Sequence, residues 1–481
     1  MMSNDQAPEL TERIKLLLPP LLSTQRASWE QGICAQTMLE CHRFFISAEA
    51  SPTSELFSTP YDFKQWLYAL AHEAVVRQSL DGRLAAHLNG DGTSDTGALD
   101  PACIGETLYY LSSLEIENGS QFPPAHGLSY ASLLEGVERM LEYIMESCPH
   151  ASVDASAGNA TLHSHRTDVL EIWSDSIYML PPFLVSAAVF RVAHNTSPNL
   201  PELRTQYSAR ALLELGLQQI VRAAAVLQSP TGEWAHIYDL SARELKRAAF
   251  WGVGNGWVCC GIVRVLSILV DPLPVPHGPM AHRPAYADLD ALGLGPTSGE
   301  LLPLLRQTYA ILTRTLRACH THALPSGHFR NVLGDAHTFA EVNLGQMLAY
   351  ALFRLVDLDL HSPRFRALRL PGADADADAD RDAPRGWEQR AEQLRNVTRA
   401  VTDRWGFVRG VCGSPTFDAP GTAAEGQAWA VMMEVARARL ARHRLEAAAA
   451  AAADATHAGL GASRERNPSN DEPPRAHSAS G

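Results

Sequence analysis

The sequence predicts an all-α protein, an (α/α)6 barrel of six helical hairpins, on three observations. Apolar residues recur at helical spacing almost throughout, and alternating strand-like segments are scarce. Six polar or aromatic signatures each lead into an apolar helix: WEQG at 29–32, DPACIG at 100–105, WSDS at 173–176, GNGW at 254–257, EVNLG at 341–345 and AEGQAW at 424–429. They return about every 70 to 90 residues, roughly the length of two helices with their loops. Six signature helices paired with six plainer ones close into a ring, the signature helices inside. An α-solenoid would show shorter and more uniform repeats.

The plainer helical segments lie near 9–18, 62–78, 130–147, 207–227, 302–319 and 386–402. Inner helices of such a ring run parallel, so their signatures gather at one mouth. The Pro-, Gly- and His-rich stretch 271–300 reads as an insertion, as does 371–385. Within the latter, PGADADADADRD lacks the Gly and the terminal Glu of a calcium loop and reads as a solvated low-complexity segment. The barrel is expected to span 1–442, and 443–481 to be an Ala-rich helical extension followed by a disordered tail.

Forty basic against fifty-three acidic residues give a formal charge of −13, which argues against nucleic acid or an anionic membrane as partner. No uninterrupted apolar run reaches the roughly 18 residues of a membrane span. The opening MMSNDQAPELTERIKLLLPPLL carries acids ahead of its apolar patch, the wrong order for a secretory signal. Eight cysteines, none in a CxxC pair, sit in apolar helical contexts, as buried thiols of a reducing compartment do. The expectation is a cytoplasmic protein.

The segment EIWSDSIYMLPPFL, 171–184, carries Trp173, Ile177, Leu180 and Leu184 at helical spacing and predicts one apolar helix with Asp175 inside it. A bare buried carboxylate is costly, so Asp175 needs a partner or a use. Asp100, ahead of Pro101, reads equally as a helix N-cap, and Glu425 as a complement to its helix dipole. If Asp100 and Asp175 face one mouth, they form a carboxyl pair suited to general acid–base work.

The run RAAFWGVGNGWVCC places three alternate glycines before Trp257. It is no phosphate loop: GxGxxG is absent, no strand precedes it and no Lys-Ser/Thr follows. The glycines permit close approach of a ligand, with Trp251 and Trp257 as a stacking surface for a sugar ring. Upstream, GEWAHIYDL puts Trp234 and His236 in a short extended stretch, and NATLHSHRTD puts His163, His165 and Arg166 ahead of Asp175. The pairs His163/His165 and His320/His322 lack a third ligand, so no metal is expected, and no cofactor motif is present. GxSxG is absent as well, which leaves serine hydrolysis without support.

Taken in order, WSDSIYMLPPFL, WGVGNGW, SGHFRNVLGD followed by FAEVNLGQMLAYAL, and GTAAEGQAWAVMMEVA resemble successive signatures of glycoside hydrolase family 105. These are unsaturated rhamnogalacturonyl hydrolases, related to the unsaturated glucuronyl hydrolases of family 88. The resemblance runs from Trp29 to about residue 440 and implies a six-hairpin glycosidase barrel acting on an oligosaccharide. The reaction it implies removes the 4,5-unsaturated uronic acid that a polysaccharide lyase leaves at a non-reducing end. Asp175 then stands for the proton donor to C4 of the vinyl ether, assisting water at C5, with a pKa raised by an apolar surround. Asp100 would orient the water or the sugar hydroxyls. Trp29, His165, Arg166, His236, Trp251, Asn255 and Trp257 are expected to line the substrate site.

One departure bears on substrate. Many members of the family read WGRGNGW, the Arg binding the uronate carboxylate; here that position is Val253. An isopropyl group cannot replace a bidentate guanidinium. Either Arg166, Lys246, Arg247 or Arg330 takes the carboxylate, or the substrate differs. Two rival expectations remain: a carbohydrate-binding relic of the same fold, and a conventional inverting glycosidase using Asp100 and Asp175.

Overall fold

Helices of two chemical kinds alternate along the chain. In the computed structural model the described residues are 6–49, 59–87, 94–118, 130–153, 161–273, 286–370 and 383–464. The first kind is amphipathic: α1 (Gln6–Thr24), α3 (Phe63–Val76), α5 (Tyr130–Glu146), α8 (Ala209–Leu227), α10 (Leu302–Thr321) and α13 (Ala383–Ala400). In α8, for example, Leu212, Leu213, Leu217, Ile220, Ala223, Ala224 and Leu227 are buried and recur on one stripe.

The second kind is buried on most or all of its surface, α14 as far as about residue 442: α2 (Ser28–Glu49), α4 (Gly105–Asn118), α7 (Pro181–His194), α9 (Gly252–Val270), α11 (Asn343–His361) and α14 (Ala424–Arg464). Every residue of α9 is buried. These six bury their sides largely in one another. They pack in the cyclic order α2, α4, α7, α9, α11, α14 and back to α2. Outside them, α3 packs on α2, α5 on α4, α8 on α7, α10 on α9 and α13 on α11, while N-terminal α1 closes the ring on α14. This is the (α/α)6 barrel. Ser176–His194 and Gly252–Val270 are long and apolar enough to cross a membrane, but these windows are 89% and 100% buried within the protein.

Ion pairs tie the inner helices together in the barrel interior. Arg264 of α9, 1% exposed, meets Glu40 of α2 and Glu106 of α4. Arg439 of α14 bridges Glu40 at 3.1 Å and Asp271 at 3.2 Å, and Arg354 of α11 holds Asp271 at 2.9 Å. Burial alone would raise the Glu40 carboxyl, but Arg264 and Arg439 hold it down at about 2.

Among the described residues, all nine short strands lie in connections that run from an outer helix to the next inner one. They are β1 (His150–Ser152), β2 (Thr161–His163), β3 (Glu171–Trp173), β4 (Ile237–Asp239), β5 (Glu244–Arg247), β6 (Phe329–Arg330), β7 (Ala340–Glu341), β8 (Val411–Cys412) and β9 (Pro420–Gly421). Four of these connections begin with the same turn. The N–H groups of Gly82, Gly232, Gly327 and Gly406 donate to the carbonyls of Ser79, Ser229, Leu324 and Asp403 at 3.0, 3.1, 2.8 and 3.0 Å. Each of these glycines has a positive φ, between +82° and +117°, which explains its identity. Two residues on, Leu84, Trp234, Phe329 and Val408 are fully buried. Four residues on stand Ala86, His236, Asn331 and Gly410, so one repeated turn fixes the register in which His236 and Asn331 reach the centre.

The single helix expected over 171–184 is broken into β3, the short α6 (Ser176–Met179) and α7. Trp173 pairs with Ile237 in an antiparallel ladder, and Pro181 and Pro182 lack N–H groups and start a helix better than they continue one. Asp175 therefore precedes α6, and its side chain makes no capping hydrogen bond. At the other end of the chain, α14 carries the sixth inner helix on through the Ala-rich stretch to Arg464. The low-complexity run 371–382, residues 274–285 of the other insertion and the tail 465–481 lie outside the described residues.

Candidate active site

The starts of the inner helices meet at one rim, and glycines set the spacing. A Cβ on Gly32 of α2 would stand 2.5 Å from that of Cys103, just after Asp100. One on Gly254 of α9 would stand 2.4 Å from Ser174 Oγ, and one on Gly252 would lie 3.3 Å from the Arg330 carbonyl oxygen and 3.5 Å from Leu344. Gln346 of α11 donates to the Gly426 carbonyl of α14 at 2.7 Å. Five of the six starts carry a carboxyl: Glu30, Asp100, Asp175, Glu341 and Glu425. Helix N-termini are the positive ends of helix dipoles, which is where such a concentration of acids is tolerated. The sixth start, that of α9, carries the glycine turn instead.

Asp175 and Asp100 are each faced by a histidine. Asp175 Oδ2 accepts from the Ser174 hydroxyl at 3.0 Å and lies 3.5 Å from His236 Nε2. Asp100 Oδ1 lies 3.2 Å from His165 Nε2, and the other ring nitrogen of His165 meets Ser176 Oγ at 3.0 Å. The His165 ring stacks on Trp173 at 4.5 Å; Trp173 meets His236 edge-on at 5.4 Å, and His236 lies 4.8 Å from Trp251. Trp251 is fixed by its indole N–H, which donates to Asn331 Oδ1 at 3.1 Å.

The two aspartates ionise in opposite directions. Burial, reinforced by the charges of Asp95 and Asp175, pushes the Asp100 carboxyl well above the usual carboxylate range. Burial also pushes Asp175 up, but its contact with His236, the charge of His165 and the Ser174 hydroxyl outweigh it and hold the carboxyl below that range. Burial lowers His165 to about 4. This reverses the expectation of a raised Asp175: the apolar surround is present and is the largest single influence, but two histidines and a hydroxyl together outweigh it.

The carboxyls across the mouth sit high. Burial raises Glu341 to about 7, although the backbone N–H groups of Leu344, Asn343 and Cys412 all donate to it. Burial and the charges of Glu30, Glu341 and Asp175 raise Glu425 well above the usual carboxylate range. Asp100 Oδ1, both His236 ring nitrogens, Glu425 Oε2 and Asn343 Nδ2 are buried without a hydrogen-bond partner among the described residues.

The other expected residues divide into two groups. Trp29 is the half-buried outer member of an aromatic cluster, edge-on to Trp257 at 6.2 Å, with Tyr178 and Trp429 behind Trp257 at 4.8 and 5.5 Å. Trp257 is 3% exposed and supports Trp29 from beneath. Asn255, expected to touch substrate, is wholly buried: its Oδ1 accepts from Trp234 N at 2.8 Å and its amide donates to the Trp234 and Trp251 carbonyls at 3.0 and 2.9 Å. It is a strut that ties two rim loops, with both amide hydrogens used and no surface exposed to a sugar. Arg166 lies by Asp100, with Nε and Nη2 held by Asp168 at 2.9 and 2.8 Å. Of the other cations, Lys246 pairs with Glu171 and Arg330 donates to the Thr338 carbonyl at 2.8 Å. Arg247, at the end of β5, has no carboxylate partner among the described residues, and its charge reaches Cys412 beside Trp251. Ser174, Trp173, Asn331 and Glu341 belong to the site and were missed. The repeated turn that aligns Asn331 with His236 is the signal that would have found one of them.

No protein-family model matches the sequence, and no curated protein matches it. Solved structures do. A possible member of glycoside hydrolase family 105 from Klebsiella pneumoniae aligns with a TM-score of 0.56 at 13% identity, covering 89% of this chain and 92% of that one. A family 88 glycosyl hydrolase from Bacteroides vulgatus gives 0.52 at 12% identity, over 91% of this chain and all (100%) of the other. An unsaturated glucuronyl hydrolase from Streptococcus agalactiae gives 0.52 at 10%, over 90% and 92%. The chain has the six-hairpin glycosidase fold of these family 105 and family 88 structures.

Proposed function

We propose that the protein is a glycosidase that releases a 4,5-unsaturated uronyl residue from lyase-generated oligosaccharides by hydrating its vinyl ether. The observation that carries this reading is a pair of buried, histidine-faced carboxyls that feel one another's charge and ionise in opposite directions at an aromatic-lined mouth, one kept as an acid and one as a base. Asp100 holds the proton to be delivered to C4. Asp175 takes a proton from the water whose oxygen bonds to C5, and His236 steadies the carboxylate. The hydrated C5 is a hemiketal; its ring opens and the bond from C1 to the next sugar breaks. These roles exchange the assignment suggested by the sequence, where Asp175 was the donor. Trp29 offers the stacking face, and Arg247 is the cation available for the uronate carboxylate.

The names of the structural neighbours favour this chemistry over a conventional inverting hydrolysis. The setting we propose is the cytoplasm, which eight buried unpaired thiols support. The test is to incubate the protein with lyase-generated disaccharides and follow loss of absorbance of the conjugated double bond. Turnover by the wild type that disappears in Asp175→Asn and Asp100→Asn is expected. Equal cleavage of saturated uronides would overturn the reading.

A further inference from the structure

The loop between β8 and β9 lies against the mouth and plays no part in the acid–base pair. Val411 pairs with Gly421 and Cys412 with Pro420, so the two strands form a short stalk. At its top Gly413 and Gly421 touch backbone to backbone: a Cβ on Gly413 would stand 2.9 Å from Gly421 Cα, and one on Gly421 would stand 3.0 Å from Gly413 Cα. No other residue fits either place, and glycine gives both ends of the loop their widest backbone freedom. Between them, the Phe417 N–H donates to the Gly413 carbonyl and the Gly413 N–H to the Ala419 carbonyl, each at 2.8 Å.

The loop has two unlike faces. Pro415, Thr416, Asp418 and Ala419 are exposed. Phe417 turns the other way, and its ring lies 6.0 Å from that of Trp29. It does so at φ +57°, in the left-handed region that bulky side chains avoid. A strained backbone persists only where something holds it, and the contact with Trp29 is what Phe417 gains. Trp29 is also the half-buried aromatic face, backed by buried Trp257, on which the function proposed above seats a sugar ring. Beneath the loop, the thiol of buried Cys412 donates to the Phe417 carbonyl at 2.6 Å.

We propose that Ser414–Ala419 is a lid that swings at Gly413 above the β8–β9 stalk, and that Phe417 gates the site by occupying the face of Trp29 that the sugar takes. The lid decides access. Sugar binding then competes with an internal ligand, and the apparent affinity is reduced by the fraction of closed lid. The identity of the sugar rests on the function proposed above; the lid does not.

Alkylation of Cys412 by iodoacetamide, located by peptide mass spectrometry in the full-length protein without any sugar, reports lid opening. Phe417→Ala is expected to accelerate labelling of Cys412 several-fold while Cys34 and Cys259, inside the barrel, stay unmodified. An unchanged Cys412 rate with those two protected would overturn the lid. Should the barrel cysteines react as well, the variant has lost its fold, and Phe417→Leu decides by the same criterion. With an unsaturated disaccharide that the wild type turns over, Phe417→Ala is expected to lower KM several-fold; an unchanged or higher KM would overturn the competition with sugar. Because labelling needs no substrate, its failure removes the lid alone, whereas absence of turnover in the wild type removes the function alone.

Discussion

Gly254→Ala tests whether the glycine turn of α9 sets the position of Asp175. The added methyl carbon would stand 2.4 Å from Ser174 Oγ and 3.2 Å from Trp251 Cε3. An ordinary contact needs roughly 3.4 Å, so Ser174 must retreat by about 1 Å. Ser174 Oγ is a direct hydrogen-bond partner of Asp175 Oδ2, and a shift of about 1 Å at a reacting group costs on the order of 10²-fold in rate. Stability should suffer less. Gly254 lies within α9, where Ala is favoured over Gly by roughly 1 kcal/mol, against about 1–3 kcal/mol for overpacking. The net loss is then about 0–2 kcal/mol. The assay pairs kcat/KM on an unsaturated disaccharide with a thermal melt by circular dichroism. Gly386→Ala, at an exposed position of α13 with nothing within 4 Å of the new methyl group, is the control: it should leave kcat/KM unchanged and raise stability by no more than roughly 1 kcal/mol. Full activity in Gly254→Ala would refute the claim that this turn positions the carboxylate.

Further outcomes are expected. The kcat/KM profile should be bell-shaped: Asp175, held low, must be ionised and gives the acid limb, and Asp100, held high, must be protonated and gives the alkaline limb. Asp175→Asn and Asp100→Asn should each lower kcat about 10²–10⁴-fold and abolish the corresponding limb, as a pH series on both variants checks. Arg247→Ala should raise KM for a uronyl substrate and spare a neutral analogue. Val253→Arg should not tighten binding, because Val253 is wholly buried; it should lower the melting temperature, at a cost of roughly 3 kcal/mol or more. Glu341 is raised from 4.5 to about 7 on folding, so the folded protein binds its proton more tightly and stability falls as pH rises through that window. The fall amounts to about 3 kcal/mol, and urea melts of Glu341→Gln at pH 5 and 7.5 should show a shallower decline than the wild type.

Much of the architecture was legible because its determinants are local. Helical periodicity and six recurring starts at a spacing of about 70 to 90 residues give six pairs of helices, and the ring follows from pairing them. The break after Asp175 was also written locally, in Pro181 and Pro182, but the apolar stripe through Trp173 and Ile177 masked it. The ionisation of Asp175 was not legible. It depends on His236, which a strand pairing and the Ser229–Gly232 turn bring to the aspartate from a different rim loop. Asn255 was misread for a similar reason: an amide in a glycine-rich turn resembles a ligand contact until its three partners, all backbone groups of Trp234 and Trp251, are in view. Phe417 carried no signal, since neither its positive φ nor its contact with Trp29 follows from the residues beside it.

The most direct test of the central claim is to run the reaction in D2O on a lyase-generated disaccharide and examine the product by NMR. Proton delivery to the vinyl ether predicts deuterium at C4 appearing in step with loss of the double bond, and neither event in Asp175→Asn or Asp100→Asn. Release of the sugar with its double bond intact and no deuterium at C4 would contradict the account.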